Sequence, residues 1–152
     1  FGGGLPLSAM FAKQELNQKW RPAAHGSTFG GNPLAIAASS TSIDIILRDN
    51  LVENSREMGG YLVELIEKER NRVSAIGEVR GKGLMIAVDI LDKDGKPFGN
   101  CKDILYRAAE KGLVLSTCGT NSIRICPPLI INKSQVEEGV KILVEAIAEI
   151  VG

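Results

Sequence analysis

The 152-residue sequence predicts an α/β chain with an α+β unit at its C-terminal end. Two helix-start patterns, Asn32-Pro33 and Ser134 with Glu137, each precede a long run of helical apolar spacing. An apolar run of strand length, residues 83–90, lies between them. Because the pattern changes near residues 45–55, we expect a boundary there between a small N-terminal piece, residues 1–48, and an α+β unit, residues 49–152.

The N-terminal region contains one well-marked helix between segments rich in small residues. Residues 7–12, LSAMFA, predict a short buried strand, and residues 13–20 predict a short helix. Residues 21–31 show no apolar period and predict a loop. Asn32-Pro33, with Asn as N-cap and Pro at the first helical position, predicts a helix that ends near Arg48.

A second long helix is predicted from Asn50, with Glu53 in capping-box register, to about Arg72. Gly59-Gly60 lies inside it and is unfavourable by about 1 kcal/mol per glycine, so we expect a close contact with another helix there. A strand is predicted at 83–90 and a turn at 92–97. A helix follows from Asn100, with Asp103, to a left-handed cap at Gly112. Strands at 114–116 and 122–125 then flank a turn, and a last helix begins at Ser134. The last helix carries an apolar stripe of Val136, Val140, Leu143, Ile147 and Ile150.

Composition and charge exclude several classes of function. The 18 basic and 18 acidic residues balance, so no field of one sign favours a nucleic acid or an anionic membrane, and no 18-residue apolar run predicts a membrane span. One histidine and three cysteines without CxxC spacing predict neither a metal site nor a disulfide framework, and they are typical of a reducing, cytoplasmic compartment. The chain begins with Phe1 instead of methionine, so we expect it to be the remainder of a longer protein.

The loop HGSTFGGNP, residues 25–33, is the first candidate site. The hydroxyls of Ser27 and Thr28 and three glycines lead directly into the capped helix, an arrangement suited to a phosphate or carboxylate. An ordinary turn of small residues explains the same composition equally well. For His25 we favour a loop hydrogen-bonding role over a catalytic one.

Arg124, within the apolar strand pattern SIRI, is the second candidate. A buried arginine needs a partner, and the planar guanidinium fits a carboxylate with two parallel hydrogen bonds. The strand pattern alone leaves three possibilities open: a ligand carboxylate, an internal Asp or Glu, or an outward-facing position at a sheet edge.

Two other motifs fail their patterns. The segment VRGKGL lacks the third glycine of a dinucleotide-binding loop, because Ile86 stands there, and it is more typical of the tight start of a strand. The segment GSTFG has Thr28 where a nucleophile elbow has serine, and no second histidine exists, so a hydrolase is excluded.

Six blocks, in order and spacing, are distributed over residues 1–129: FGGGLPLSAM, HGSTFGGNPLA, NLVENSREMGGYL, IGEVRGKGLMIAVDI, EKGLVL and IRICPPL. Together they resemble the C-terminal part of the class III aminotransferases, the family of the ornithine, acetylornithine and 4-aminobutyrate enzymes. The sequence LSTCG before IRICPPL is more similar to the 4-aminobutyrate type.

This resemblance implies part of a fold-type I enzyme that uses pyridoxal 5′-phosphate. The complete protein is expected to be a homodimer that moves an amino group from an ω-amino acid to a 2-oxo acid. An amino-acid racemase on the same scaffold and a non-catalytic dimerisation fragment are the alternatives. Residues 1–48 would then end the large cofactor-binding domain.

The family motifs also imply roles for a few residues. The Schiff-base lysine is expected upstream of Phe1, since Lys13 does not match it, and no catalytic residue is assigned within the chain, which is expected to be inactive alone. Thr28 matches the threonine that binds the cofactor phosphate of the neighbouring subunit, and the adjacent Ser27 meets the substrate in some members. Arg124 matches the arginine that binds a substrate carboxylate or pairs with a site glutamate.

Overall fold

The computed structural model describes all residues, Phe1–Gly152, as two compact units, Phe1–Asn50 and Leu51–Gly152. The first unit contains α1 (Gln14–Asn17) and α2 (Pro33–Arg48). The second contains α3 (Leu51–Arg70), β1 (Ile76–Lys82), β2 (Met85–Ile90), α4 (Cys101–Glu110), β3 (Ser116–Cys118), β4 (Ser122–Ile125) and α5 (Lys133–Val151). No helix combines the length and the apolar character needed to cross a membrane.

Helix α2 is the main element of the first unit, and its predicted ends are confirmed. The side chain of Asn32 accepts hydrogen bonds from the backbone N–H of Leu34 at 2.9 Å and of Ala35 at 3.3 Å. These bonds satisfy donors that the first helical turn leaves without an internal partner. Local capping chemistry therefore fixes the point at which the loop ends and the helix begins.

The strand predicted at residues 7–12 is wrong. No strand forms there, and Phe11 is 94% exposed. A strand needs a neighbour for its backbone hydrogen bonds, and the first unit contains only the isolated bridge between Gly2 and Leu5. The helix predicted at 13–20 is reduced to the single turn α1, which buries no residue and so gains little from packing.

The second unit contains a four-stranded antiparallel sheet in the order β1-β2-β4-β3. Ile86, Val88 and Ile90 alternate along β2 and are almost completely buried in the core, beside Ile66 of α3 and Ile147 of α5. Met85, Ala87 and Asp89 point to the opposite side, which we call the outer face of the sheet. The sheet thus supports a core on one side and leaves side chains accessible on the other.

Strand β1 is not predicted by the sequence, which indicates only a tight strand start at residues 79–84. Its sequence, IGEVRGK, has two glycines and three charged residues instead of apolar alternation. This composition suits an edge strand, which the order of the sheet shows β1 to be. The predicted strand at 83–90 shortens to β2, because Gly83 has a φ of +55° at the turn between β1 and β2.

Two predicted capping boxes are wrong. Asn50 has a φ of +52°, so it follows the end of α2 in a left-handed conformation and does not cap α3, while Glu53 pairs with Arg56. The box that begins α5 consists of Asn132 and Gln135, two residues before the predicted pair of Ser134 and Glu137.

The predicted start of α4 is partly wrong. Asn100 stands at the N-cap position, but its side chain donates to the carboxylate of Asp103 and makes no bond to the helix backbone. Gly112 has a φ of +93°, which confirms the predicted left-handed cap. Strand β3 begins two residues later than predicted, and Val114 is 86% exposed.

The close contact predicted at Gly59-Gly60 exists, but its partner is a strand turn and not a helix. A Cβ added to Gly59 would stand 2.1 Å from the carbonyl oxygen of Gly83, whereas one added to Gly60 would meet nothing within 4 Å. Four of the five predicted stripe residues of α5 are buried; Ile150 is 37% exposed, and Val151 is buried instead. The glycine therefore allows α3 to approach the turn between β1 and β2.

Candidate functional site

The loop of residues 25–31 borders an open cleft of about 760 Å³ in the first unit. The cleft is lined by Pro6, Leu7, Ser8, His25, Gly26, Ser27, Phe29, Gly30 and Gly31. Ser27 is therefore a lining residue, while the exposed Thr28 stands in the same loop without lining the cleft. Lys13, exposed before α1, does not line it either.

The loop holds its shape through its own backbone. The N–H of Gly30 donates to the carbonyl of Ser27 at 3.2 Å, and the N–H of Asn32 donates to the carbonyl of Phe29 at 3.2 Å. The N–H groups of Thr28, Phe29 and Gly31 have no acceptor in the chain. These free amides, with the two exposed hydroxyls, form a donor set of the kind that phosphate oxygens accept from.

The start of α2 contributes little to this donor set. Its first free amides, at Leu34 and Ala35, are already bonded to the side chain of Asn32. The donors available to an anion consequently belong to the loop before the helix.

Glycine is required at the end of the loop. A Cβ on Gly30 would lie 2.8 Å from Oγ of Ser27, and Gly31 has a φ of +75°. The backbone can therefore fold closely against the Ser27 hydroxyl. The residues present fit a phosphate group, since the loop offers donors and no carboxylate lines the cleft.

His25 makes an aromatic contact in place of the predicted hydrogen bond. Its ring meets the ring of Trp20 edge-to-face, with centroids 5.6 Å apart and planes at 73°. The side chain is exposed and has no acidic partner that would orient it as a base. The geometry therefore gives His25 a packing role.

Arg124 extends from the outer face of the sheet. Its neighbours along β4, Ile123 and Ile125, are buried on the core side, and Arg124 itself is exposed. In the sheet it stands opposite Ala87 of β2 and Ser116 of β3. Arg124 forms none of the ion pairs of this chain, so it has no internal Asp or Glu partner. Its side chain faces outward, as one of the possibilities requires, but β4 is an inner strand of the sheet and not an edge strand.

A polar cluster that the sequence prediction missed lies on the same face. Nη1 of Arg80 is 2.7 Å from Oδ2 of Asp89, and the hydroxyl of Ser122 donates to Oδ1 of that carboxylate. Nη2 of Arg80 also donates to Oγ of Ser122 at 3.2 Å. The available signal was the hairpin register: a turn at 83–84 places Arg80 opposite Ala87, near Asp89.

The cluster shifts the pKa of both charged members. Burial acts to raise the pKa of Asp89, but hydrogen bonds from Ser122 and Arg80, with the Arg80 charge, outweigh it and hold that pKa below its ordinary value. The hydrogen bond to Asp89 raises the pKa of Arg80. Asp89 is therefore ionised at neutral pH and bound to Arg80 and Ser122.

No group of three or more His, Cys, Asp or Glu side chains is placed to hold a metal ion. All three cysteines are free: Cys101 is buried, Cys118 half-buried and Cys126 exposed. Burial raises the pKa of the Cys101 thiol, which donates to the carbonyl of Phe98 at 3.4 Å.

Comparison with known proteins places these features in a family. The family model for class III aminotransferases matches residues 1–147. The chain is 40% identical over 140 residues to ornithine aminotransferase of Staphylococcus carnosus and 37% identical over 144 residues to acetylornithine aminotransferase of Aquifex aeolicus, covering 92% and 95% of this chain. It is also 37% identical over 152 residues to a leucine/methionine racemase of Thermococcus litoralis.

Solved structures agree. The acetylornithine aminotransferase of Elizabethkingia anophelis matches with a TM-score of 0.79 at 34% identity, over 91% of this chain and 36% of that one. The ornithine delta-aminotransferase of Plasmodium falciparum matches with a TM-score of 0.79 at 31% identity, over 90% and 34%. The chain spans about a third of the length of the curated relatives it matches, namely 33% to 35% of the three described above.

Proposed function

The chain belongs to the class III aminotransferase family, and from that premise we propose that the complete protein moves an amino group from an ω-amino acid to a 2-oxo acid with pyridoxal 5′-phosphate. Its α/β fold is that of a piece of a fold-type I transferase. When bound, the cofactor supplies the group that accepts the amine and passes it on. The observation that carries the proposal within this chain is an arginine held free on an inner strand.

The amino donor class rests on two supports. Two relatives are named for ornithine and acetylornithine, and one structural neighbour is named an ornithine delta-aminotransferase. The sequence LSTCG before the Arg124 strand favours 4-aminobutyrate within the same ω-amino class. We therefore propose a donor with a terminal amine, of the 4-aminobutyrate or ornithine type.

For the cofactor we propose that Thr28 and the free amides of its loop bind the phosphate. The exposed hydroxyl and the amides of Phe29 and Gly31 are donors without internal acceptors. A hydrogen bond from such a donor to a charged group contributes about 1.5–3 kcal/mol. In the proposed homodimer this loop serves the neighbouring subunit, and Ser27, in the cleft wall, contacts the substrate.

For the substrate we propose that Arg124 binds a carboxylate. The guanidinium is exposed and unpaired, while the buried isoleucines on either side fix the backbone that carries it. Two parallel N–H bonds to one carboxylate set the orientation of the molecule as well as its affinity. Arg124 thus positions the substrate, and the reacting groups are supplied elsewhere.

The rest of the organisation is proposed from the family. Residues 1–48 would end the large cofactor-binding domain, and residues 49–152 would form the small C-terminal domain. The lysine that binds the cofactor covalently would precede Phe1, because no lysine here has the family's sequence context. The three free cysteines support a cytoplasmic location.

A racemase is the second candidate, because one relative at 37% identity carries that name. An aminotransferase consumes a 2-oxo acid for each amine that it converts, whereas a racemase needs none. Turnover of the complete protein with and without an added 2-oxo acid therefore separates the two functions.

The test of the substrate role is Arg124→Lys in the complete protein. We expect the half-reaction with a carboxylate substrate to slow by about 10- to 100-fold, because lysine keeps the charge but loses the paired geometry. A simple amine without a carboxylate should react at nearly the parental rate. Both half-reactions are measured by stopped-flow absorbance of the cofactor, beside a thermal melt.

The matched control is Arg56→Lys, an exposed arginine on α3 that pairs with Glu53. We expect parental rates with both substrates. Equal losses for both substrates in Arg124→Lys, with a large fall in melting temperature, would contradict the proposed role.

A further inference from the structure

We propose that Arg80 is a positioning residue that keeps Asp89 bound to itself and thereby leaves Arg124 free for a substrate carboxylate. The inference rests on the proposed function, in which Arg124 binds that carboxylate. In this proposal the ion pair of Arg80 and Asp89 affects substrate specificity without touching the substrate.

The sheet register places the three side chains in two neighbouring rows on the outer face. Arg80 and Arg124 both stand opposite Ala87, one from each side, so a single small residue separates the two arginines. Asp89 stands opposite Ser122, two positions before Arg124 on the same strand. Asp89 and Arg124 are therefore diagonal neighbours, about 7–8 Å apart at the backbone, within reach of a long side chain.

Asp89 is the carboxylate on this face that the register brings nearest to Arg124. If it turned to Arg124, a substrate carboxylate would have to displace it. A competing internal partner lowers the fraction of molecules that are competent to bind and weakens the apparent affinity by that fraction. The free state of Arg124 therefore depends on what else holds Asp89.

The structure shows what holds it. Oδ2 of Asp89 lies 2.7 Å from Nη1 of Arg80, and Oδ1 accepts the hydroxyl of Ser122, so both oxygens are occupied. Nη2 of Arg80 closes the ring of contacts through Oγ of Ser122 at 3.2 Å. Ser122 is 5% exposed and the Asp89 side chain is 23% exposed, so the cluster is anchored in the sheet and is not a loose surface pair.

Charge favours this arrangement over the alternative. Glu78 is the only other acid in contact with Arg80, at 3.9 Å, and its side chain is 69% exposed. Arg80 thus contacts two carboxylates, whereas Arg124 forms no ion pair within this chain. Ala87 between the arginines carries no group that could hold either one.

The test is Arg80→Gln in the complete protein. Released from Arg80, Asp89 turns to Arg124, and the KM for the carboxylate substrate rises about fivefold, the upper range for competition with a partly exposed ion pair. The kcat stays at its parental value, and so does the KM for an amine without a carboxylate. The second variant is the double change Arg80→Gln with Asp89→Asn, which removes the competitor and restores the parental KM.

The matched control is Arg72→Gln, an exposed arginine in the turn after α3 that pairs with Glu69 at 2.6 Å; it should leave both KM values unchanged. If Arg80 has only a structural role, Arg80→Gln will lower the melting temperature and the kcat for both substrates, and the double variant will not restore KM. That result would overturn the inference. If Arg124→Lys is selective for carboxylate substrates but Arg80→Gln is not, this inference fails and the proposed function stands. If Arg124→Lys shows no selectivity, the proposed function itself fails.

Discussion

The two units carry their candidate groups on different kinds of support. Residues 51–152 enclose a continuous core, whereas in residues 1–50 only Gly2, Ala35 and Ser39 are buried. Phe11 and Phe29 of the first unit remain 94% and 59% exposed. Arg124 is consequently fixed by packing on the far side of its strand, while Thr28 is held only by the hydrogen bonds of its own loop. Substitutions should therefore cost stability in the second unit and ligand binding in the first.

The largest expected difference between the two units is in the stability lost when an apolar side chain is truncated. We expect Ile147→Ala, at a side chain with no exposed surface, to lower the free energy of unfolding by about 2–5 kcal/mol, because it leaves a cavity. Leu34→Ala in α2, where the side chain is 73% exposed, should change it by no more than about 0.5 kcal/mol. Urea unfolding of the complete protein measures both. Similar losses from the two variants would show that the first unit has a core of its own.

Thr28→Ala tests the opposite side of the contrast. We expect the cofactor to dissociate about 10- to 100-fold faster, as expected for the loss of a hydrogen bond to a charged group. The unfolding midpoint of the cofactor-free protein should not change, because Thr28 is exposed. The control is Thr41→Ala on α2, where the hydroxyl donates to the carbonyl of Ala37 at 3.0 Å and the cofactor off-rate should remain parental. Equal off-rates for Thr28→Ala and the parent would remove Thr28 from the phosphate site.

Adjacent glycines sharpen the comparison within the second unit. Gly59→Ala places a Cβ against the carbonyl of Gly83 and should destabilise the protein by about 1–3 kcal/mol. Gly60→Ala meets open space and should stabilise α3 by up to about 1 kcal/mol, because alanine is the better helix former. Thermal melts of the two variants should shift in opposite directions. A shift of the same sign in both would mean that α3 does not approach the strand turn.

Acid titration gives the smallest effect. The pKa of Asp89 is lower in the folded state than its unfolded value of about 3.9, so its ion pair contributes stability above that value and loses it as the pH falls through the folded pKa. The contribution should be about 0.2–1 kcal/mol, because Arg80 is half-exposed. The difference in unfolding free energy between the parent and Asp89→Asn should be constant near neutrality and shrink below about pH 4. A difference that persists at low pH would assign it to packing.

Capping patterns in the sequence predict the start of α2 correctly but not the starts of α3 and α5. The start of α2 follows from Asn32 and Pro33, because an N-cap needs only neighbours in the chain. At α5 two overlapping patterns, beginning at Asn132 and at Ser134, satisfy the capping-box rule, and only the folded backbone selects the first. The strand expected at residues 7–12 fails for a different reason, since apolar composition does not supply a strand to pair with.

The candidate site shows the same limit. The two hydroxyls and the arginine could be identified from the sequence because they belong to continuous motifs. The link between Arg80 and Asp89 depends on the hairpin register, which an unrecognised edge strand conceals. The N-cap role of Asn32, which occupies the amides of Leu34 and Ala35, also follows from the sequence, because it depends only on neighbouring residues.

The order of strands in the sheet also has a consequence for the way the chain folds. Strands β1 and β2 form a hairpin, which closes a short loop, whereas β4 joins β2 only after α4 and β3 have been looped out between them. Closing the longer loop costs more chain entropy, so local pairings are expected first. Arg80 and Asp89 both belong to the hairpin and can meet before β4 arrives. The acid can therefore have its partner before Arg124 reaches the sheet.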